Sequence, residues 1–430
     1  MTISVVGHGY VGLVTACVFA DFGNKVWVIG HTKEKITRLK NGDPIIYEPG
    51  LKELLQKNLA SKRISFTLDY EKAIPESEII FITVGTPPKE TGEADLSAVI
   101  EVARNIGKNL KSKFTVVSCK STVPVGTNRK LEVIISKHKS KQVNFAVASC
   151  PEFLREGTGI SDTINADRIV IGSDNKQAIE KLTVLHKPIN GKRVITNLAS
   201  AEMIKYASNV FLANKISFAN LISFYCEKTG ADVNEVLTGV GIDERIGKQF
   251  LNPGLGYGGS CLPKDVKAFL DIGKRLSIDT QLLTAIENIN IKAQENFLHK
   301  IITHSPGKKV AIWGLSFKPN TDDIRFAPSV FIIENLLKHG FQLNVYDQEA
   351  TDNIKKIFAN KITYSKDPYQ VVNKVDALII ITEWNEFRQI DLNKVKKLMS
   401  NPTIFDGRNI YDPSDLKKLG FKYYSIGRPT

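Results

Sequence analysis

Short apolar, β-branched runs alternate with amphipathic stretches through roughly the first 195 residues. Ile3 to Val6, Val26 to Ile29, Ile79 to Val84, Thr115 to Ser118, Phe145 to Ala148 and Arg168 to Ile171 are predicted as strands, and such alternation implies a parallel sheet with helices on both faces. From Ser200 to Thr229 the chain has neither Gly nor Pro, and at ~1.5 Å of rise per residue this predicts a helix of about 45 Å, too long for a crossover and suited to a spine between domains. More helix follows, then a glycine-rich loop from Asn252 to Gly259.

After Ser305-Pro306-Gly307 the opening pattern returns. Lys309 to Trp313 is predicted as a strand, Gly314 to Arg325 as a loop, Ser329 to Lys338 as a helix and Leu343 to Tyr346 as a strand ending at Asp347. The order matches Ile3 to Val6, Gly7 to Gly12, a helix, and Val26 to Ile29, so both ends have the pattern of a nucleotide-binding βαβ unit. The expected class is α/β: two Rossmann-like, doubly wound parallel-sheet domains joined by a long central helix. The expected divisions are residues 1–196, 197–304 and 305–430.

Composition narrows the class. A chain of 430 residues with 42% hydrophobic and 24% charged positions has the balance of a folded multidomain protein, not a disordered one. No run approaches the ~20 apolar residues of a membrane helix, and Thr2-Ile3-Ser4-Val5-Val6 reads as a first strand, not a leader, so the expected compartment is the cytoplasm. The formal charge of +13 favours an anionic partner. Basic residues such as Lys33, Lys35, Lys108, Lys137, Lys308 and Lys309 are dispersed instead of clustered, which points away from nucleic acid. Cys17, Cys119, Cys150, Cys226 and Cys261 form no C-x-x-C pair or Cys/His cluster, so neither a disulfide framework nor a metal site is expected.

Gly7-His8-Gly9-Tyr10-Val11-Gly12 lies directly between a strand and a helical pattern, the context that turns G-x-G-x-x-G into a dinucleotide fingerprint. Gly7 suits the tight turn, Gly9 the close approach of a pyrophosphate and Gly12 the helix–strand contact. An NAD site carries an acidic residue at the end of the second strand, yet Gly30 stands there, followed by His31, Lys33 and Lys35. Whether those cations face a cofactor or solvent stays open at this level. Cys261, in Gly258-Gly259-Ser260-Cys261-Leu262-Pro263-Lys264-Asp265, is expected near a helix N-terminus beside Lys264, where dipole and cation favour a thiolate nucleophile. Glu202, Lys205 and Asn209 share one helix face at i, i+3 and i+7; spacing alone is compatible with a solvated face or with a site.

These residues belong to a longer series of motifs. It includes Pro44-Ile45-Ile46-Tyr47-Glu48-Pro49-Gly50-Leu51, Val84-Gly85-Thr86-Pro87, Lys120-Ser121-Thr122-Val123-Pro124-Val125-Gly126-Thr127 and Pro151-Glu152-Phe153-Leu154-Arg155-Glu156-Gly157. It also includes Gly314-Leu315-Ser316-Phe317-Lys318 and Thr321-Asp322-Asp323-Ile324-Arg325. With them the chain resembles, nearly end to end, the UDP-glucose/GDP-mannose dehydrogenase family. Gly241-Ile242-Asp243-Glu244-Arg245-Ile246-Gly247, Gly256-Tyr257-Gly258 and Thr382-Glu383-Trp384 look like its UDP-glucose branch. A GDP-mannose 6-dehydrogenase or another nucleotide-sugar 6-dehydrogenase is the alternative.

The resemblance implies an N-terminal NAD domain, a central helical segment that builds a homodimer or higher homo-oligomer, and a C-terminal domain for the UDP of UDP-glucose. The implied reaction is a four-electron oxidation of the sugar C6 alcohol to a carboxylate with two cofactor molecules, through a thiohemiacetal and a thioester on Cys261. Lys205 and Asn209 would stabilise oxyanion character, Asp265 would help activate water, Glu152 would be the acid/base and Thr122 would order a water. Gly7, Gly9, Tyr10, Val11, Gly12, Gly30, Lys35, Thr86, Thr122, Glu156, Lys264 and Arg325 would contact the cofactor. Glu152, Phe153, Leu154, Lys205, Asn209, Phe250, Tyr257, Gly258, Phe317, Lys318 and Arg408 would hold the substrate, with Arg245 reaching a neighbouring subunit. The chain departs from the family pattern at Gly30 (usually Asp), Cys150 (usually Asn) and Phe326-Ala327 (usually Glu-Ser). Gly30 leaves NADP use open beside NAD.

Overall fold

The computed structural model describes residues 1–111 and 114–429, and the chain divides into two compact units, Met1–Ser208 and Asn209–Thr430. Among the described residues the first unit holds an eight-stranded sheet in the order β3-β2-β1-β4-β5-β6-β7-β8. Its strands are β1 (Thr2–Val6), β2 (Lys25–Ile29), β3 (Ile64–Thr67), β4 (Ile79–Ile82), β5 (Thr115–Cys119), β6 (Phe145–Ser149), β7 (Asn165–Gly172) and β8 (Asn190–Thr196). The 3-2-1-4-5-6 part is the doubly wound order whose strand-end crevice receives nucleotides. One departure from the all-parallel expectation occurs: β7 meets β6 antiparallel, at Ser149 opposite Gly172, and β8 runs parallel to β7. Strands β3 and β8 are short or carry polar, exposed positions, so apolar periodicity alone passes over them.

Helices cover both faces because the strands are apolar on both sides. Val5, Val26, Val28, Ile79 and Phe81 belong to one core with the helix Tyr10–Asp21, while Val6, Ile29, Ile80, Ile82 and Val117 belong to another with Val102, Ile106 and Leu131.

The second unit contains a six-stranded parallel sheet, ordered β11-β10-β9-β12-β13-β14. The strands are β9 (Lys309–Trp313), β10 (Gln342–Tyr346), β11 (Thr363–Tyr364), β12 (Ala377–Ile380), β13 (Thr403–Asp406) and β14 (Lys422–Tyr424). The repeat of the opening pattern is therefore real at the level of topology.

The long helix runs from Leu198 to Thr229 over 32 residues, and the boundary between the units falls within it. Its polar face is not solvated: Glu202, Lys205 and Asn209 are 3%, 4% and 6% exposed. Glu202 caps another helix, Thr127–His138. Its Oε2 accepts the Gly126 N–H at 2.7 Å, and its Oε1 accepts the N–H and the side-chain amide of Asn128 at 2.8 and 2.7 Å. Three donors converge on one buried carboxylate, so removing it strands them without water. Glu202→Ala is expected to cost about 2–4 kcal/mol of stability, and Glu202→Gln distinctly less, in urea titrations of the whole protein.

Candidate active site

In the first unit the loop between β1 and the helix Tyr10–Asp21 is built for close approach. Gly7 lies at φ +121°, and a Cβ on Gly12 would stand 2.2 Å from the Gly7 carbonyl oxygen. The helix begins at Gly9 with no side-chain cap and no acidic residue in its first turn, while Gly9 has open space where its Cβ would be. Uncapped N–H groups with space before them fit a pyrophosphate. The residues present therefore fit NAD. Tyr10 contributes to this only through its backbone and position, because its hydroxyl donates to Glu48 and accepts the Gly157 N–H at 2.9 Å. Glu48 also accepts from the N–H groups of Gly157 and Ile160, at 2.7 and 3.2 Å, and so ties the motif around Pro49 to the loop that carries Glu156. Thr86 is linked to Thr122 by a 2.9 Å bond from its hydroxyl to the Thr122 carbonyl.

A buried ionic group lies past the end of β6. Lys205 Nζ is 3.1 Å from Glu152 Oε1, and Glu152 Oε2 accepts the Leu154 N–H at 2.9 Å. Phe153 lies beneath two cations, with the Arg168 guanidinium 3.9 Å and Lys205 Nζ 5.2 Å from its ring centre. Lys120, not singled out as a site residue from the sequence, is a second buried lysine of this group. Burial first, and then Lys205, hold its ammonium below the usual lysine range, against the pull of Cys150 and Glu152. Its signal was a lysine directly after the strand Thr115–Cys119, which is buried throughout, a place where a charge is retained only if it is paired.

In the second unit Cys261 is the N-cap of the helix Leu262–Arg275, with Pro263 in its first turn. Its Sγ stands 3.8 Å from Ser260 Oγ. One turn on, Asp265 is 1% exposed; it accepts 2.5 Å from Asn209 Nδ2 and pairs with the Lys264 ammonium. Lys264 is thus engaged by Asp265, which shares out the positive charge expected beside the thiol. Among the five cysteines Cys261 is exposed, while Cys17, Cys119, Cys150 and Cys226 are buried. Burial pushes the Cys17 and Cys119 thiols up to about 12 and raises that of Cys150 as well, which makes Cys150 a filler of its pocket and not a second reactive thiol.

The same unit gathers several of the expected substrate residues. Gly258 and Gly259 pack on Phe317, and Arg408 reaches the carbonyls of Ile381 at 2.6 Å and Phe317 at 3.4 Å beside Glu383. Tyr257 is buried and held by Asn290 through two backbone bonds of 2.7 and 3.2 Å. Lys318 lies along Phe317, with Nζ 5.6 Å from the ring centre. Phe250 takes a left-handed φ of 64°, as does Phe326 at 51°. Arg245 and Arg325 are exposed and pair with Asp243 and Asp323, two residues before each. A cavity of about 440 Å³ is lined by Lys248, Arg388, Arg408, Glu383, Asn234 and Asn252, among others. Three cations against one carboxylate suit a diphosphate.

The second βαβ loop differs from the first. Asp347, at the end of β10, turns back onto it: its Oδ2 accepts the N–H groups of Leu315 at 2.6 Å and Ser316 at 3.2 Å, and the indole N–H of Trp384 at 3.0 Å. The donors that would cradle a phosphate after β9 are already used. Equal topology therefore does not make this loop a second dinucleotide site. Among the described residues no helix is long and apolar enough to cross a membrane, and no group of three or more His, Cys, Asp or Glu is placed to hold a metal ion.

The fold and the first loop define an α/β protein with a dinucleotide-binding site. Family models for the UDP-glucose/GDP-mannose dehydrogenases match three successive parts: the NAD binding domain over residues 1–190, the central domain over 199–292 and the UDP binding domain over 311–413. The chain is 45% identical to UDP-glucose 6-dehydrogenase TuaD of Bacillus subtilis (strain 168), covering all of this chain and 93% of that protein. It is 42% identical to a UDP-glucose 6-dehydrogenase of Pseudomonas aeruginosa, over 100% of this chain and 98% of the relative. A solved UDP-glucose dehydrogenase from the archaeon Pyrobaculum islandicum is similar, with TM-score 0.92 and 35% identity over 100% and 98% of the two chains. The chain belongs to the UDP-glucose/GDP-mannose dehydrogenase family.

The contrast among the cysteines can be measured directly. Iodoacetamide applied to the native protein is expected to add one carbamidomethyl group, at Cys261, with the other four thiols reacting only after unfolding. Intact-mass and peptide analysis of wild type and Cys261→Ser check this; early labelling of Cys150 would contradict the packing described.

Proposed function

We propose that the chain oxidises UDP-glucose to UDP-glucuronate in four electrons, through covalent intermediates on Cys261. In this reading residues 1–196 hold the cofactor, 197–304 the helical segment and 305–430 the UDP. The observation that carries it is the exposed thiol at the start of the helix Leu262–Arg275, one turn from the buried Asp265–Asn209 pair.

NAD, when bound, supplies the hydride acceptor for each of the two oxidations. The C6 alcohol loses a proton and a hydride to become an aldehyde. Cys261 thiolate adds to that carbonyl carbon, and loss of a second hydride from the thiohemiacetal leaves a thioester. Water then displaces the thiolate, yielding the carboxylate. Overall one alcohol, one water and two NAD give one carboxylate, two NADH and three protons. The Lys205 ammonium, held by Glu152, and the Asn209 amide, held by Asp265, are fixed donors suited to an oxyanion, since neither reorganises as charge develops. Glu152 is the acid/base for hydrolysis, with Thr122 ordering a water and Asp265 helping to activate it. Lys248, Arg388 and Arg408 bind the UDP.

We also propose self-association through the long helix. Phe211, Phe218 and Tyr225, spaced by seven, are 62%, 44% and 64% exposed, an apolar stripe of coiled-coil period that supports a homodimer.

Two outcomes test the chemistry. Given UDP-glucose, GDP-mannose and UDP-N-acetylhexosamines in parallel, the protein should oxidise UDP-glucose fastest and release two NADH per sugar; one NADH per sugar, or faster acid formation from a rival, rules the reading out. Cys261→Ala should form no appreciable UDP-glucuronate, even from the UDP-sugar 6-aldehyde. Near wild-type conversion of the aldehyde by that variant would mean oxidation of its hydrate, with Cys261 only part of the wall.

A further inference from the structure

The first nucleotide loop faces a strand end without a side chain. An NAD site ordinarily has a carboxylate there to hold the adenosine ribose, and Gly30 occupies the position. Its neighbours leave no room for more: a Cβ on Gly30 would lie 2.5 Å from Ile36 Cδ1 and 2.9 Å from His8 Nδ1. The imidazole of His8 stands where the carboxylate side chain would begin. His8 is only 4% exposed, and among the described residues its Nδ1 has no hydrogen-bond partner. A buried, unsatisfied ring nitrogen costs about 1–3 kcal/mol, a cost that a ligand group arriving at this strand end would offset.

Basic side chains surround that nitrogen. The His31 ring lies 4.7 Å from that of His8, centre to centre. Burial, with His31 and Lys35 nearby, holds the imidazole of His8 down to about 4, so it is neutral at pH 7. Thr32 opens the helix Lys33–Lys40 without a side-chain cap; its first turn holds one acidic residue, Glu34, between Lys33 and Lys35.

We propose that His8, Gly30, His31 and Lys35 form the subsite for the 2′ position of the cofactor's adenosine, and that this subsite takes a 2′-phosphate, so that NADP serves this chain beside NAD. A neutral imidazole donates or accepts at Nδ1 according to its tautomer. It therefore satisfies a hydroxyl and a phosphate alike, whereas a carboxylate repels the phosphate. Lys35 and His31, both basic, favour the dianion over the hydroxyl. The inference rests on the Gly7–Gly12 loop as the cofactor site and is independent of the sugar chemistry.

Calorimetric titration of the whole protein with ADP and with 2′,5′-ADP, without sugar or turnover, tests it. The expected result is 2′,5′-ADP binding as tightly as ADP or within about tenfold. Lys35→Ala and His31→Ala should weaken 2′,5′-ADP by about fivefold or more beyond whatever they cost ADP. Gly30→Asp alone drives its side chain into Ile36 and His8, so the carboxylate is restored together with Ile36→Ala and His8→Ala; that triple variant should reject 2′,5′-ADP by about fiftyfold or more relative to ADP. Wild type favouring ADP by more than about a hundredfold, basic-residue variants that leave the ratio unmoved, or failure of both ligands to bind would each overturn the proposal.

Discussion

Three polar side chains on one helix face, taken out of water, are the constraint on which the rest of the site depends. Glu202, Lys205 and Asn209 are all less than a tenth exposed, and burying such groups is tolerable only when each finds a partner of matching charge or geometry. Each does. Glu202 receives the N-terminus of the helix Thr127–His138, Lys205 meets Glu152, and Asn209 donates to Asp265. The same bonds that make burial possible set the directions of an ammonium and an amide. These three admit few replacements, because a vacant partner position in a dry setting is worse than no polar group at all.

The two sheets show how little topology alone says about a ligand. Both follow the 3-2-1-4-5-6 order, and in both the loop after the first strand precedes a helix. After β1, among the described residues, no side chain caps the start of the helix Tyr10–Asp21, and Gly30 follows β2. After β9, Asp347 at the end of the corresponding strand takes the loop's N–H groups for itself. The second strand end thus carries no side chain in one unit and an internal strut, Asp347, in the other. Charge follows the same division: the second unit gathers Lys248, Arg388 and Arg408 around a cavity instead of presenting helix N–H groups.

Much of the architecture was legible in the chain itself, since it rests on local physics. Strands β1, β2, β4, β5, β6, β9 and β10 are apolar, β-branched runs bounded by glycine or polar turns, and the long helix is a Gly- and Pro-free segment; both signals are carried by neighbours in sequence. Strands β3 and β8 escaped because their polar or exposed positions break the pattern, and the reversed direction of β7 escaped because strand polarity depends on what lies beside it. At the site, Cys261 beside Pro263 announced a helix start, and the G-x-G-x-x-G loop announced an anion cradle. What the residues could not announce was who faces whom. Whether the face of Lys205 and Asn209 was wet or buried, that Lys120 joins the same buried group, that Lys264 turns to Asp265, and that His8 fills the space beside Gly30 are all contacts between residues far apart or on separate elements. The sequence by itself determined the periodicity, the turns and the chemical inventory, which act over a few residues. The tertiary structure alone decided burial, and with it which charges must be paired, because desolvation is a property of the assembled surroundings and not of any segment.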